Sequence, residues 1–108
     1  MNAVFFVRIA RGALYLSRET YDRYFAGLEA VILLRRADDL WIMPVRHAAA
    51  GGYLLKLRNS RGDRVVHAPD FLREHAVDEY VGSQLPVAWS PEAGALIAAG
   101  AFLQTKFT

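Results

Sequence analysis

Two arginine pairs fifty residues apart carry the strongest chemical signal in the sequence: Arg8 and Arg11, then Arg58 and Arg61. Each pair is followed by a glycine, Gly12 or Gly62, and Arg64 stands just beyond the second. A guanidinium is planar, permanently charged, and holds its N–H donors in a fork that matches phosphate or carboxylate. Phosphate contacts supply most non-specific affinity for duplex DNA. Arg8, Arg11, Arg58, Arg61 and Arg64 are therefore the candidate nucleic-acid-binding residues. The plainer account is compositional. Eleven of the 13 basic residues are Arg, as a GC-rich genome would produce, and strand-end arginines are often solvated and balanced by acids such as Asp63. A net charge of +2 is also small for a nucleic-acid-binding domain.

A second cluster holds His67, Asp70, Glu74, His75 and Asp78. Spacing of i,i+4 puts Asp70 and Glu74 on one helix face and Glu74 and Asp78 in the same row. No two-histidine metal spacing is present, because His67 precedes the helix and His75 ends it. The acids read as a solvated face, and no metal site is expected. The four serines, Ser17, Ser60, Ser83 and Ser90, stand in no nucleophile elbow, and no glycine-rich phosphate loop precedes a helix. No catalytic residue, no cofactor and no enzymatic activity are expected.

The 108 residues suit one domain, residues 1–108, and 54% hydrophobic content is ample for a core. Without cysteine, disulfides and thiolate chemistry are excluded. The apolar stretches Ala3–Val7 and Ala93–Leu103 fall short of the roughly 20 residues that cross a bilayer. The chain reads as soluble, cytoplasmic and without a membrane partner.

Val4–Ala10 is a β-rich run, and Arg11-Gly12 turns it into a second strand, Ala13–Leu16. Ser17 is placed to cap a helix with Glu19 in its first turn. Tyr21, Tyr24, Phe25 and Leu28 recur at i, i+3, i+4 and i+7, one amphipathic face. Ala30–Leu34 and Leu40–Val45 are strands joined through the polar turn Arg35–Asp39. After the small-residue connector His47–Gly52 the order repeats: strand Tyr53–Arg58, turn Asn59–Asp63, strand Arg64–Ala68, a helix opening at Pro69 with Phe71, Leu72 and His75 on one side, and a strand from Leu85 to Trp89. Ser90-Pro91-Glu92 suits either a helix start or a turn. Symmetry with Arg35–Val45 favours a hairpin that pairs Leu85–Trp89 with Ala95–Ala99. The tail after Gly100 reads as an edge strand or a frayed end. The expected fold is α+β, mainly β: tandem β-β-α-β-β repeats, approximately 4–46 and 53–99, forming a small barrel-like domain. The aromatics Tyr15, Tyr21, Tyr24, Phe25, Trp41 and Trp89 read as core. Val31–Leu34, apolar on both faces, belongs inside a barrel or at a subunit interface, which points to a homo-oligomer or a protein partner.

The segment Asn59–Glu74 (NSRGDRVVHAPDFLRE) resembles the repeat of the AbrB/MraZ family of bacterial swapped-hairpin DNA-binding regulators. Its pattern runs turn, Gly-Arg, strand, Pro, short amphipathic helix. Ala10–Tyr21 looks like a weaker copy, and two tandem repeats in one chain is the MraZ arrangement. The resemblance implies a non-catalytic, DNA-binding transcription regulator whose arginine-bearing turns contact the phosphates of duplex DNA. The alternative from the residues alone is an accessory or assembly protein that binds another protein or a small ligand without nucleic acid.

Overall fold

Short β-rich runs separated by glycine or polar turns build about half of the described residues into strands. The structure, a computed structural model, describes residues 4–47, 51–75 and 82–103. In chain order its elements are β1 (Phe5–Ala10), β2 (Ala13–Leu16), α1 (Arg18–Tyr24), β3 (Ala30–Arg36), β4 (Asp39–Val45), β5 (Tyr53–Leu54), β6 (Lys56–Leu57), β7 (Arg64–His67), α2 (Pro69–Glu74), β8 (Ser83–Ser90) and β9 (Ala95–Ala98). The mainly β character expected from the sequence is observed.

These strands form one sheet in the order β5-β3-β4-β9-β8-β1-β2-β7-β6. Its two outermost strands are neighbours in the chain, separated by Leu55 alone. β5 pairs with β3 and β6 pairs with β7, so one short bent segment joins both edges and the sheet becomes a nearly closed barrel. Leu55 is buried at the bend, and its N–H donates to the Glu29 carbonyl at 2.8 Å. The strand expected over Tyr53–Arg58 therefore splits where it changes partner.

Hairpin β1–β2 lies between β8 and β7, both from the later part of the chain. The next hairpin, β3–β4, lies between β5 and β9. Neither hairpin pairs with the other.

Inward-facing residues of the strands make the core: Val7 and Ile9, Leu14 and Leu16, Val31 and Leu33, Leu40 and Ile42, Val66, Val87, and Leu96. Phe25 after α1 and Leu72 in α2 join the same cluster. Ile32, Leu34, Trp41 and Met43 occupy the alternate positions and are half-buried. The barrel interior thus accounts for one face of the doubly apolar strand. Trp89 is likewise half-buried, stacked on Tyr24 at 5.7 Å.

The local signals acted largely as their chemistry requires. Ser17 Oγ accepts from the Thr20 N–H at 3.2 Å, and Pro69 opens α2. The Arg35–Asp39 turn tightens to Ala37-Asp38, because Arg36 already pairs with Asp39. Ser90–Gly94 is a turn, with Gly94 N–H donating to the Ser90 carbonyl, and the C-terminal hairpin forms. The tail begins differently from either expectation: Phe102 enters the core and its N–H donates to the Asp38 carbonyl at 2.9 Å. Its remainder, residues 104–108, and connector residues 48–50 lie outside the described residues.

Candidate functional site

Strand register assembles the site. Arg8 stands opposite Gln84 on one side and Tyr15 on the other; Tyr15 stands opposite Val65, and Val65 opposite Lys56. Cross-strand partners share a face of a sheet, so Gln84, Arg8, Tyr15, Val65 and Lys56 form one row across the outside of the barrel. Arg58, just past β6, returns over this row. Its guanidinium carbon lies 4.8 Å from the centre of the Tyr15 ring, and that of Arg8 lies 6.0 Å from it. Two cations fifty residues apart thus share one aromatic ring.

Such cation–π contacts at exposed sites contribute roughly 0.5–1 kcal/mol each. They also orient a guanidinium through the ring face and leave its N–H donors free. Among the described residues neither Arg8 nor Arg58 forms an ion pair, and both are exposed.

The two glycine turns have specific seats. In the first, Arg11 (φ 52°) and Gly12 (φ 73°) both take left-handed backbone, the geometry of a tight hairpin. The Gly12 carbonyl accepts from the Ala68 N–H at 2.9 Å, and a Cβ on Gly12 would lie 3.1 Å from the Pro69 Cβ. This turn is pressed against the start of α2. The second turn is pressed against the start of α1. There the Asp63 carboxylate accepts from the backbone N–H of Arg18 at 2.9 Å, from Asn59 Nδ2 at 2.9 Å and from Arg61 Nη2 at 3.3 Å. Asn59 Oδ1 in turn accepts from the N–H groups of Arg61 and Asp63. The Asn59 hydrogen bond, the Arg18 N–H and the Arg61 charge hold the Asp63 carboxyl below its ordinary pKa, against a smaller opposing effect of desolvation.

The five expected arginines therefore divide. Arg8 and Arg58 come together on Tyr15. Arg11 and Arg61 project from the two turns, both exposed, Arg61 with one contact to Asp63. Arg64 departs from the set: its Nη1 donates to the Gly62 carbonyl at 2.9 Å and its guanidinium covers the Tyr21 ring at 3.9 Å. As the neighbour of Val65 it points to the other face of β7. Lys56 was missed by sequence reading. The signal was present, since positions 56 and 58 share a face in an extended segment.

Among the described residues the other candidates gather into no site, and His67 and Glu74 are exposed. His75 packs between Phe71 at 4.6 Å and Phe102 at 5.2 Å, and Asp70 pairs with Arg73 at 3.3 Å. Among the described residues no three potential ligands converge on a metal position; Asp78 lies outside them. No described helix is long and apolar enough to cross a membrane.

Beside the Arg8–Tyr15–Arg58 cluster runs an open groove of about 520 Å³, between the start of β1, the end of β2 and the first turn of α1. Comparison with protein-family models, curated proteins and solved structures finds no match for the chain.

Proposed function

We propose that the protein is a non-catalytic DNA-binding regulator of the AbrB/MraZ swapped-hairpin kind, acting in a bacterial cytoplasm and gripping the phosphate backbone of duplex DNA. Arg8 and Arg58 make the central contacts, Lys56 extends them, and Arg11 and Arg61 reach outward from the two turns. Arg64 supports the second turn from behind.

The observation that carries this reading is the convergence of Arg8 and Arg58 on Tyr15. Both are exposed, oriented and without a carboxylate partner among the described residues. Strand connectivity supports the tandem β-β-α-β-β repeat that the reading assumes. If β5 with β6, β7, α2, β8 and β9 correspond to β1, β2, α1, β3 and β4, exchanging the halves returns the same cyclic strand order. The β2–β7 register is symmetric about Tyr15↔Val65, which are fifty positions apart. Each half also seats its glycine turn on the other half's helix. Oligomerisation, expected from the apolar β3–β4 surface, would multiply the phosphate contacts.

Duplex binding measured by fluorescence polarisation across a salt series tests the proposal. Each phosphate neutralised contributes about 0.9 to the slope of log K against log salt. Arg8→Gln with Arg58→Gln should therefore flatten the slope by about two such increments and weaken binding at every sequence tested. A wild-type protein that ignores duplex DNA at low salt refutes it. One observation favours the second reading, a protein partner: Phe6, on the Arg8 face of β1, and Val4, just before that strand, are exposed, Val4 at 65%, and Leu54 and Leu57 are exposed on β5 and β6.

A further inference from the structure

We infer that the groove beside Tyr15 is a binding site for a small organic monoanion with an apolar body, a function that does not depend on the DNA reading. Its volume of about 520 Å³ falls in the range of small-molecule sites, and its lining divides by chemistry. Val4, Phe5 and Phe6 supply an apolar wall, while Arg8 and Arg58 stand together at the Tyr15 side. A ligand matching this arrangement places one carboxylate or sulfonate against the guanidinium pair and its hydrocarbon along the wall. Gln84, also in the lining, adds an amide donor in the cross-strand position beside Arg8.

Two carboxylates line the same groove, and they differ. Asp63 has both oxygens engaged, by the Arg18 N–H and by Asn59 and Arg61, so its charge is locally compensated. Glu19, exposed in the first turn of α1, has no ion-pair partner among the described residues. Its charge opposes a second negative group on the ligand. With two guanidinium charges against one unpaired carboxylate, the lining carries a single net positive charge, which matches one anionic group.

The probe is 1-anilinonaphthalene-8-sulfonate, an apolar body with a single sulfonate, titrated by fluorescence against the 108-residue chain without DNA. Its uncharged counterpart, N-phenyl-1-naphthylamine, measures the apolar contribution alone. The sulfonate should bind at one site and more tightly than the neutral compound. Arg8→Gln and Arg58→Gln should each weaken the sulfonate about ten-fold, the size of one charge-assisted hydrogen bond, and leave the neutral compound unaffected. Arg73→Gln, on the exposed face of α2, should change neither. An amide correlation spectrum of each variant establishes that the fold is kept. Equal affinity for the two compounds, or sulfonate binding indifferent to Arg58→Gln in a folded variant, overturns the inference. Because no nucleic acid is present, its failure leaves the duplex measurement standing, and the reverse also holds.

Discussion

Asp63 concentrates more interactions than any other single carboxylate described in the molecule. It accepts from the first backbone N–H of α1, from Asn59 and from Arg61, joining a turn of the later half to a helix of the earlier one. Helix starts leave N–H groups without intrahelical partners, and Ser17 serves Thr20, so Asp63 serves the one at Arg18. These contacts favour the ionised form and lower its pKa in the folded state. A carboxyl whose folded pKa is depressed adds stability above its unfolded pKa, about 3.9. That contribution disappears as pH falls through the lower folded value. Asp63→Asn should therefore lower Tm at pH 7, and the gap from wild type should stay constant down to about pH 4 and narrow below it. Thermal melts of both proteins between pH 7 and pH 2.5 check this. A gap that is unchanged at the acid end would show that the charge of Asp63 contributes nothing.

The elements are held by contacts that differ sharply in rigidity, and the glycine turns separate them. Gly12 and Gly94 both have left-handed backbone, φ 73° and 63°. Alanine at either position carries a cost of roughly 1–2 kcal/mol for that conformation. At Gly94 nothing lies within 4 Å of the added carbon, whereas at Gly12 it would lie 3.1 Å from the Pro69 Cβ and 3.2 Å from its Cα. Neither Pro69 atom can swing away. Urea denaturation should find Gly12→Ala the more destabilising of the two, and equal losses would mean that the β1–β2 turn is not seated on α2. Most elements were legible because their signals are local: the Arg-Gly turn, Ser17 as cap and Pro69 as first helical residue; the C-terminal hairpin, locally ambiguous at Ser90-Pro91-Glu92, was legible only by comparison with Arg35–Val45. The break at Leu55 was not, because residues 53–57 contain no turn residue and only the change of partner from β3 to β7 interrupts the run. The spacing of Tyr15 predicts a core position. Its register instead places it on the outer row, where it serves the arginines. Periodicity reports which face of a strand is buried and carries no information about which strand lies beside it.

That missing information, the pairing, determines how the whole molecule behaves. Hairpin β1–β2 takes both its outer partners, β8 and β7, from the later part of the chain, and hairpin β3–β4 takes β5 and β9 from there as well. Cutting between residues 50 and 51 would leave every strand of the first fragment with one unpaired edge. Its core residues Val7, Leu14, Val31 and Leu40 would lose Val66, Val87 and Leu96 from their cluster. A domain of this size is stable by only about 5–15 kcal/mol, and burying each large aliphatic side chain contributes about 1.5–3 kcal/mol. Neither fragment keeps enough of the core to offset its own chain entropy. Fragments 1–50 and 51–108 should each give a collapsed amide spectrum and no cooperative melt, and an equimolar mixture should recover the dispersion of the intact chain. Two halves with side-by-side, self-contained sheets would behave in the opposite way. A fragment 1–50 that folds as a monomer would therefore refute the interleaved pairing and, with it, the route by which Arg58 reaches Tyr15.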